Sequence, residues 1–269
     1  MSVKVPSVVE MLESGLHFGH KKSRRHPKMD EYIFTTRGEI CIIDVRKTAA
    51  HLQKALDYVE QAASRGENIL FVSTKRQAKA LVRKYAESCG MPFVTERWIG
   101  GTLTNFAVIS QLIKKFKKYK DQQATGDLLK YTKKEQLEIT REIEELDTAI
   151  GGIQTLTRVP DVVFILDLKK DKTAMQEAIR KNVPVVAVCD TNVNPEDVTY
   201  PIPGNDDAIR SVELVLSLLA KAVNEGKAKK AVEVKEVKDA KEAREAKKVE
   251  APKAENAEEA PKAKKAAKK

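Results

Sequence analysis

The chain has 269 residues, enough to bury a substantial core, and no apolar run approaches the roughly 20 residues a membrane helix needs. Lys and Arg number 49 against 39 Asp and Glu, a net +10, but +6 of that lies in residues 226–269 and only +4 in residues 1–225. A polyanionic partner must therefore be argued from local clusters, and three scattered cysteines, Cys41, Cys89 and Cys189, argue for a reducing cytoplasmic setting without disulfides or a thiolate metal site.

In chain order, Ser7 and Glu10 have the capping-box spacing, and a short helix over 8–14 is expected to end at Gly15. The segment 21–28 follows, with Lys21, Lys22, Arg24, Arg25 and Lys28 and no acid. Such a run is either a solvated charged loop or, held extended by Pro27, a contact for several phosphates. Two short strands are expected over 32–35 and 40–43 around the Arg37-Gly38 turn, then a helix over 47–64 whose apolar positions recur every three or four residues. A continuous apolar run at 69–72, a helix over 74–88 and a strand at 93–94 complete a β-α-β-α-β order. That is the order of a parallel sheet covered by helices.

Arg97-Trp98-Ile99-Gly100-Gly101-Thr102-Leu103-Thr104-Asn105 reads as a hinge into an arm over 105–150. Trp98, the only Trp, is either core packing or, beside Arg97, a face on which an unstacked base can lie. In the arm, Ile109, Leu112, Phe116 and Tyr119 form one seam and Ile139, Ile143, Leu146 and Ile150 another, as in an antiparallel coiled-coil hairpin. Lysines 114, 115, 117, 118 and 120 oppose an acidic second helix. They are assigned first to the hairpin's own electrostatics and second to RNA.

Gly151-Gly152 mirrors Gly100-Gly101, so the arm reads as an insertion that divides a body of residues 1–104 and 151–225. Strands are expected over 162–166 and 185–189, a helix over 174–181 between them, and a last helix to about 223. Residues 226–269 read as a charged low-complexity, disordered tail. The sum is an αβα sandwich with a mostly parallel sheet, an inserted hairpin and a tail.

Catalytic signatures are missing. The loop Ser73-Thr74-Lys75-Arg76 fits neither dinucleotide nor P-loop spacing, and offers only hydroxyls and two bases for a phosphate. No cofactor is called for. A structural metal would sit at His17 with Asp190 or Asp206, although the histidine spacing matches no dedicated zinc pattern, and Asp206 and Asp207 suit the start of a helix.

Several motifs in this order resemble the bacterial form of the ribosomal protein S2 family. They are Gly15-Leu16-His17-Phe18-Gly19-His20, Pro27-Lys28-Met29, Phe71-Val72-Ser73-Thr74-Lys75-Arg76, the Arg97–Asn105 stretch, Pro160-Asp161, Asp190-Thr191-Asn192 and the run from Ile202 to Arg210. The resemblance spans about residues 5–223. It implies a flavodoxin-like sandwich with a protruding coiled-coil hairpin, docked as a single copy on small-subunit ribosomal RNA where head and body meet. It further implies neighbours among small-subunit proteins, including the large messenger-binding protein. One departure is His26, where the family often has Asn before Pro-Lys-Met, so a base contact from that amide does not carry over unchanged.

By resemblance and charge the RNA-contact candidates are Lys21, Lys22, Arg24, Arg25, Lys28, Lys75, Arg76, Arg97, Trp98 and Asn105. Two other readings stand beside this one: a nucleotide-binding α/β enzyme, and a coiled-coil adaptor whose sheet domain binds only protein.

Overall fold

The computed structural model describes residues 3–250, with the side chains of Leu129 and residues 233–250 left aside. A five-stranded parallel sheet organises the body. Its strands are β4 (Ile69–Val72), β5 (Phe93–Val94), β6 (Val162–Ile165), β7 (Val185–Cys189) and β8 (Tyr200–Pro203), in the order β5-β4-β6-β7-β8. A smaller antiparallel sheet, β1 (Phe18–Lys21), β3 (Ile40–Ile43) and β2 (Ile33–Arg37), lies earlier in the chain.

Strand residues alternate between two hydrophobic clusters, as a two-residue side-chain period requires. Ile69, Phe71, Val162, Phe164, Val186 and Val188 face one cluster. It is closed by α2 (Val45–Arg65), α3 (Lys79–Ser88) and α7 (Ile209–Glu250). Leu70, Val72, Val163, Ile165, Val185 and Ala187 face the other, where α6 (Lys172–Arg180) packs together with α4 (Phe106–Thr125) and α5 (Lys133–Ile150). Helices thus cover both faces, and each fully buried Leu, Ile or Phe in these layers contributes roughly 1.5–3 kcal/mol of apolar transfer.

Three elements differ from the sequence expectation. The segment around Gly19 is not only loop: Phe18 pairs with Ile42 and Lys21 with Ile40, so the basic run begins on a strand. Helix α3 begins at Lys79 rather than near 74, because Thr74 and Lys75 bond across the sheet edge to Asp171 and Asp206 instead of starting a helix. Tyr200–Pro203 is a parallel edge strand, which tolerates Pro201 and Pro203 because only one side of it is paired.

In the arm, all eight expected seam positions pack within the second cluster, and Ile113 joins them. Lys115 pairs with Glu142, and Lys120 lies 2.7 Å from Asp147, so the two helices hold each other by charge as well as by apolar contact. The C-terminal boundary also moves. Gly226 and Lys227 belong to the body, with Lys227 Nζ donating to the Cys89 carbonyl at the end of α3. A Cβ at Gly226 would lie 2.3 Å from the Glu60 carbonyl oxygen, so the close approach of α7 to α2 requires glycine there. Beyond it α7 continues to Glu250; the Ala, Lys and Glu that dominate this stretch have high helix propensity. The rest of the expected tail, 251–269, lies outside the described residues.

Candidate nucleic-acid interface

The loops that follow the parallel strands converge at the carboxyl edge of the sheet, where open α/β sheets generally bind ligands. The basic segment is docked there by the loop after β7. The His20 N–H donates to Thr191 Oγ1 at 2.9 Å, and the His26 N–H donates to the Thr191 carbonyl at 2.8 Å. Arg24 is thereby brought over one crevice, which Arg76, Lys169, Lys170, Asn192, Asp206 and Asp207 also line. Arg76 and Lys170 line a second, adjoining crevice together with Arg97 and Thr173. Arg24, Arg76, Lys169, Lys170 and Arg97 form a continuous band, all are exposed, and none makes an ion pair among the described residues. Their charge is therefore available to an external anion.

Beneath the band lies a partly buried charge cluster. Lys75 Nζ is 2.8 Å from Asp206 Oδ1, 2.7 Å from Asp207 Oδ1 and 3.6 Å from Asp167 Oδ2, and the side chain is only 12% exposed. Burial opposes its charge, but the hydrogen bonds to Asp206 and Asp207 prevail and raise its pKa. Burial, with repulsion from Asp167 and Asp190, pushes the Asp206 carboxyl up to about 7 despite Lys75. His20 Nδ1 lies 2.9 Å from Asp190 and its Nε2 3.6 Å from Asp207, and the bond to Asp190 raises its pKa.

Two RNA-contact candidates have internal partners in this geometry. Lys75 spends its ammonium on internal carboxylates and is not free for a phosphate. Trp98 is 9% exposed in the second core cluster, and its Nε1 donates to Glu177 at 3.0 Å, so no face is open for a base. Lys21, Lys22, Arg24, Arg76, Arg97 and Asn105 are exposed. Lys28 is exposed but paired with Glu196, and half-buried Arg25 holds Asp30 at 3.0 Å. Lys169 and Lys170 were not among the sequence candidates, although two lysines a few residues after a fully apolar strand are a signal for a charged carboxyl edge.

His20, not His17, meets Asp190 and Asp207, and these are the described groups close enough to share an ion. The Lys75 ammonium already supplies a cation at Asp207 and Asp206. A separate depression between α3, β5 and the base of α5 is lined by Arg83, Glu87, Lys120 and Asp147, which pair with one another and leave no free charge.

The sequence profile of the family described as Ribosomal protein S2 matches residues 11–226. The chain belongs to the ribosomal protein S2 family. It is 48% identical over 221 residues to the small ribosomal subunit protein uS2 of Dehalococcoides mccartyi (strain ATCC BAA-2266 / KCTC 15142 / 195), covering 82% of this chain and 90% of that one. The uS2 proteins of Campylobacter jejuni (strain 81-176) and Campylobacter lari (strain RM2100) are 48% and 47% identical over 222 residues, covering 82% of this chain and 84% and 85% of theirs. Members of the ribosomal protein S2 family are structural proteins of the ribosome, not enzymes, which sets aside the nucleotide-enzyme reading. No helix among the described residues is long and apolar enough to cross a membrane.

Proposed function

We propose that the chain is a structural constituent of the small ribosomal subunit that binds ribosomal RNA along the carboxyl edge of its parallel sheet. The observation that carries this reading is the band of five exposed cations, Arg24, Arg76, Lys169, Lys170 and Arg97, at the carboxyl edge of the sheet; none makes an ion pair among the described residues, and the Lys170 ammonium donates only to the Thr74 carbonyl. Guanidinium and ammonium groups spaced along one edge suit successive phosphates of an RNA backbone, and the contact needs no base to be read. Lys21, Lys22 and Asn105 extend the same surface.

The arm over 105–150 serves as a protruding coiled-coil hairpin that reaches neighbouring small-subunit proteins, and the body helps dock the large messenger-binding protein. The relatives named small ribosomal subunit protein uS2 support this setting, and the chain works there, in the cytoplasm, as one copy per particle. Residues 226–269 are assigned no part in it.

In a cell lysate at low salt the chain is expected to sediment with small subunits and to be released as salt rises, since phosphate contacts displace condensed counterions. Recovery as free protein from a low-salt lysate would contradict the proposal.

A further inference from the structure

A buried carboxylate that neither the RNA surface nor the core requires holds the loop between two RNA-contact candidates. Glu177, on α6, is 5% exposed. One of its oxygens accepts from Trp98 Nε1 at 3.0 Å and the Gly101 N–H at 2.8 Å. The other accepts from the Leu103 N–H at 3.0 Å, the Thr104 N–H at 3.1 Å and Thr104 Oγ1 at 3.2 Å. Five donors on one carboxylate are enough to hold it ionised inside the protein. Burial alone would raise its pKa, but these bonds outweigh burial and lower it.

The pinned segment begins directly after Arg97 and ends directly before Asn105. Gly101, at its centre, has φ +93°, a conformation in which a side chain is strained, so the loop has a single defined path past the carboxylate. Asn105 then opens α4 without a side-chain cap bond, and among the described residues no hydrogen bond commits its amide. An apolar residue at 177 would pack equally well against Trp98 but would leave four N–H groups and a hydroxyl unpaired. An anion at this place therefore fixes loop geometry rather than adding core.

We infer that Glu177 is a positioning residue for RNA binding, one that sets the path of residues 98–104 and through it the placement of Arg97 and Asn105 toward the phosphate backbone. This rests on the RNA-binding reading given above.

The test is a double-mutant cycle in the full-length chain, measuring affinity for small-subunit ribosomal RNA with E177Q, R97Q and both together. Glutamine keeps the shape but presents an NH₂ to donors. E177Q is expected to weaken binding at least as much as R97Q, roughly threefold to tenfold at physiological salt. The double variant is expected to bind no more weakly than E177Q alone. The indole N–H signal of Trp98, the only Trp, reports the loop directly and should shift in E177Q but not in R97Q. Additive losses, an E177Q chain that binds like wild type, or an R97Q chain that does so, would overturn the inference while leaving the rest of the band intact. A wild-type chain with no salt-dependent RNA affinity would instead refute the underlying reading. Should E177Q fail to fold, W98F with T104V removes two of the five donors and keeps the carboxylate buried among three backbone N–H groups. The same non-additivity with R97Q is then expected, and additivity would again overturn it.

Discussion

Replacing Arg24, Arg76, Lys169, Lys170 and Arg97 together by Gln removes five cations that make no ion pair among the described residues, so the change should act on RNA binding and not on stability. If each engages one phosphate, each contributes about 0.7–0.9 to the slope of log affinity against log salt, and the five together about 4. Those contacts alone would weaken wild-type binding on the order of 10²-fold between about 50 and 200 mM salt, and the variant should lack that component. The assay is a filter-binding or fluorescence titration of small-subunit ribosomal RNA at several salt concentrations, with thermal unfolding to confirm the fold. The control changes Arg83, Lys115 and Lys120, which already face Glu87, Glu142 and Asp147; surface ion pairs contribute little, and the slope should stay near the wild-type value. A quintuple variant whose slope falls by less than about 1 would refute the assignment of the band to phosphates.

Three further outcomes follow from the fold. Gly226→Ala gains about 1 kcal/mol of helix propensity but sets its Cβ 2.3 Å from the Glu60 carbonyl and 2.7 Å from Ala63 Cβ; since overpacking costs about 1–3 kcal/mol, denaturant unfolding should show net destabilisation, and a more stable variant would contradict the close packing of α7 on α2. Asp206, raised to about 7, holds a proton in the folded chain that it loses when unfolded above its ordinary value; its contribution therefore makes stability fall as pH rises toward 7. The raised pKa of His20 acts in the same direction, with its stabilisation present below its unfolded value and lost as pH rises through the folded one. Thermal unfolding between pH 5 and 8 should show the decline, D206N should flatten it, and an unchanged slope in D206N would refute the assignment. Among the described residues Lys114, Lys117 and Lys118 make no ion pair with α5, whereas Lys115 and Lys120 do; Gln at the three should leave unfolding unchanged, and a loss of stability would show that they too belong to the helix pair.

Much of the architecture was legible because buried parallel strands are nearly continuous apolar runs. Ile69–Val72 and Val162–Ile165 could be read directly, and the three- and four-residue spacing of Leu52, Leu56 and Val59 marked the helix packed beside them. The apolar positions of α4 and α5 that pack in the second cluster show the same three- and four-residue spacing. Tyr200–Pro203 was harder, since two prolines mask a strand that only an edge position permits. The end of the body at Lys227 depends on a backbone approach at Gly226 that spacing does not encode.

The site was legible only in part. Charge picked out Arg24, Arg76 and Arg97, but pairing is a long-range property. Lys75 looked equivalent to Arg76 until Asp167, Asp206 and Asp207, all remote in sequence, were seen around it. Trp98 and Glu177 are likewise separated by 79 positions, so the bond that turns the indole inward leaves no local trace.

The most direct measurement is protein–RNA crosslinking in intact small subunits, mapped to single residues. Crosslinks are expected at the loops carrying Arg24, Arg76, Lys169, Lys170 and Arg97, and none at Lys75 or Trp98. Crosslinks confined to other surfaces, with those five side chains open to solvent reagents in the assembled particle, would contradict the account.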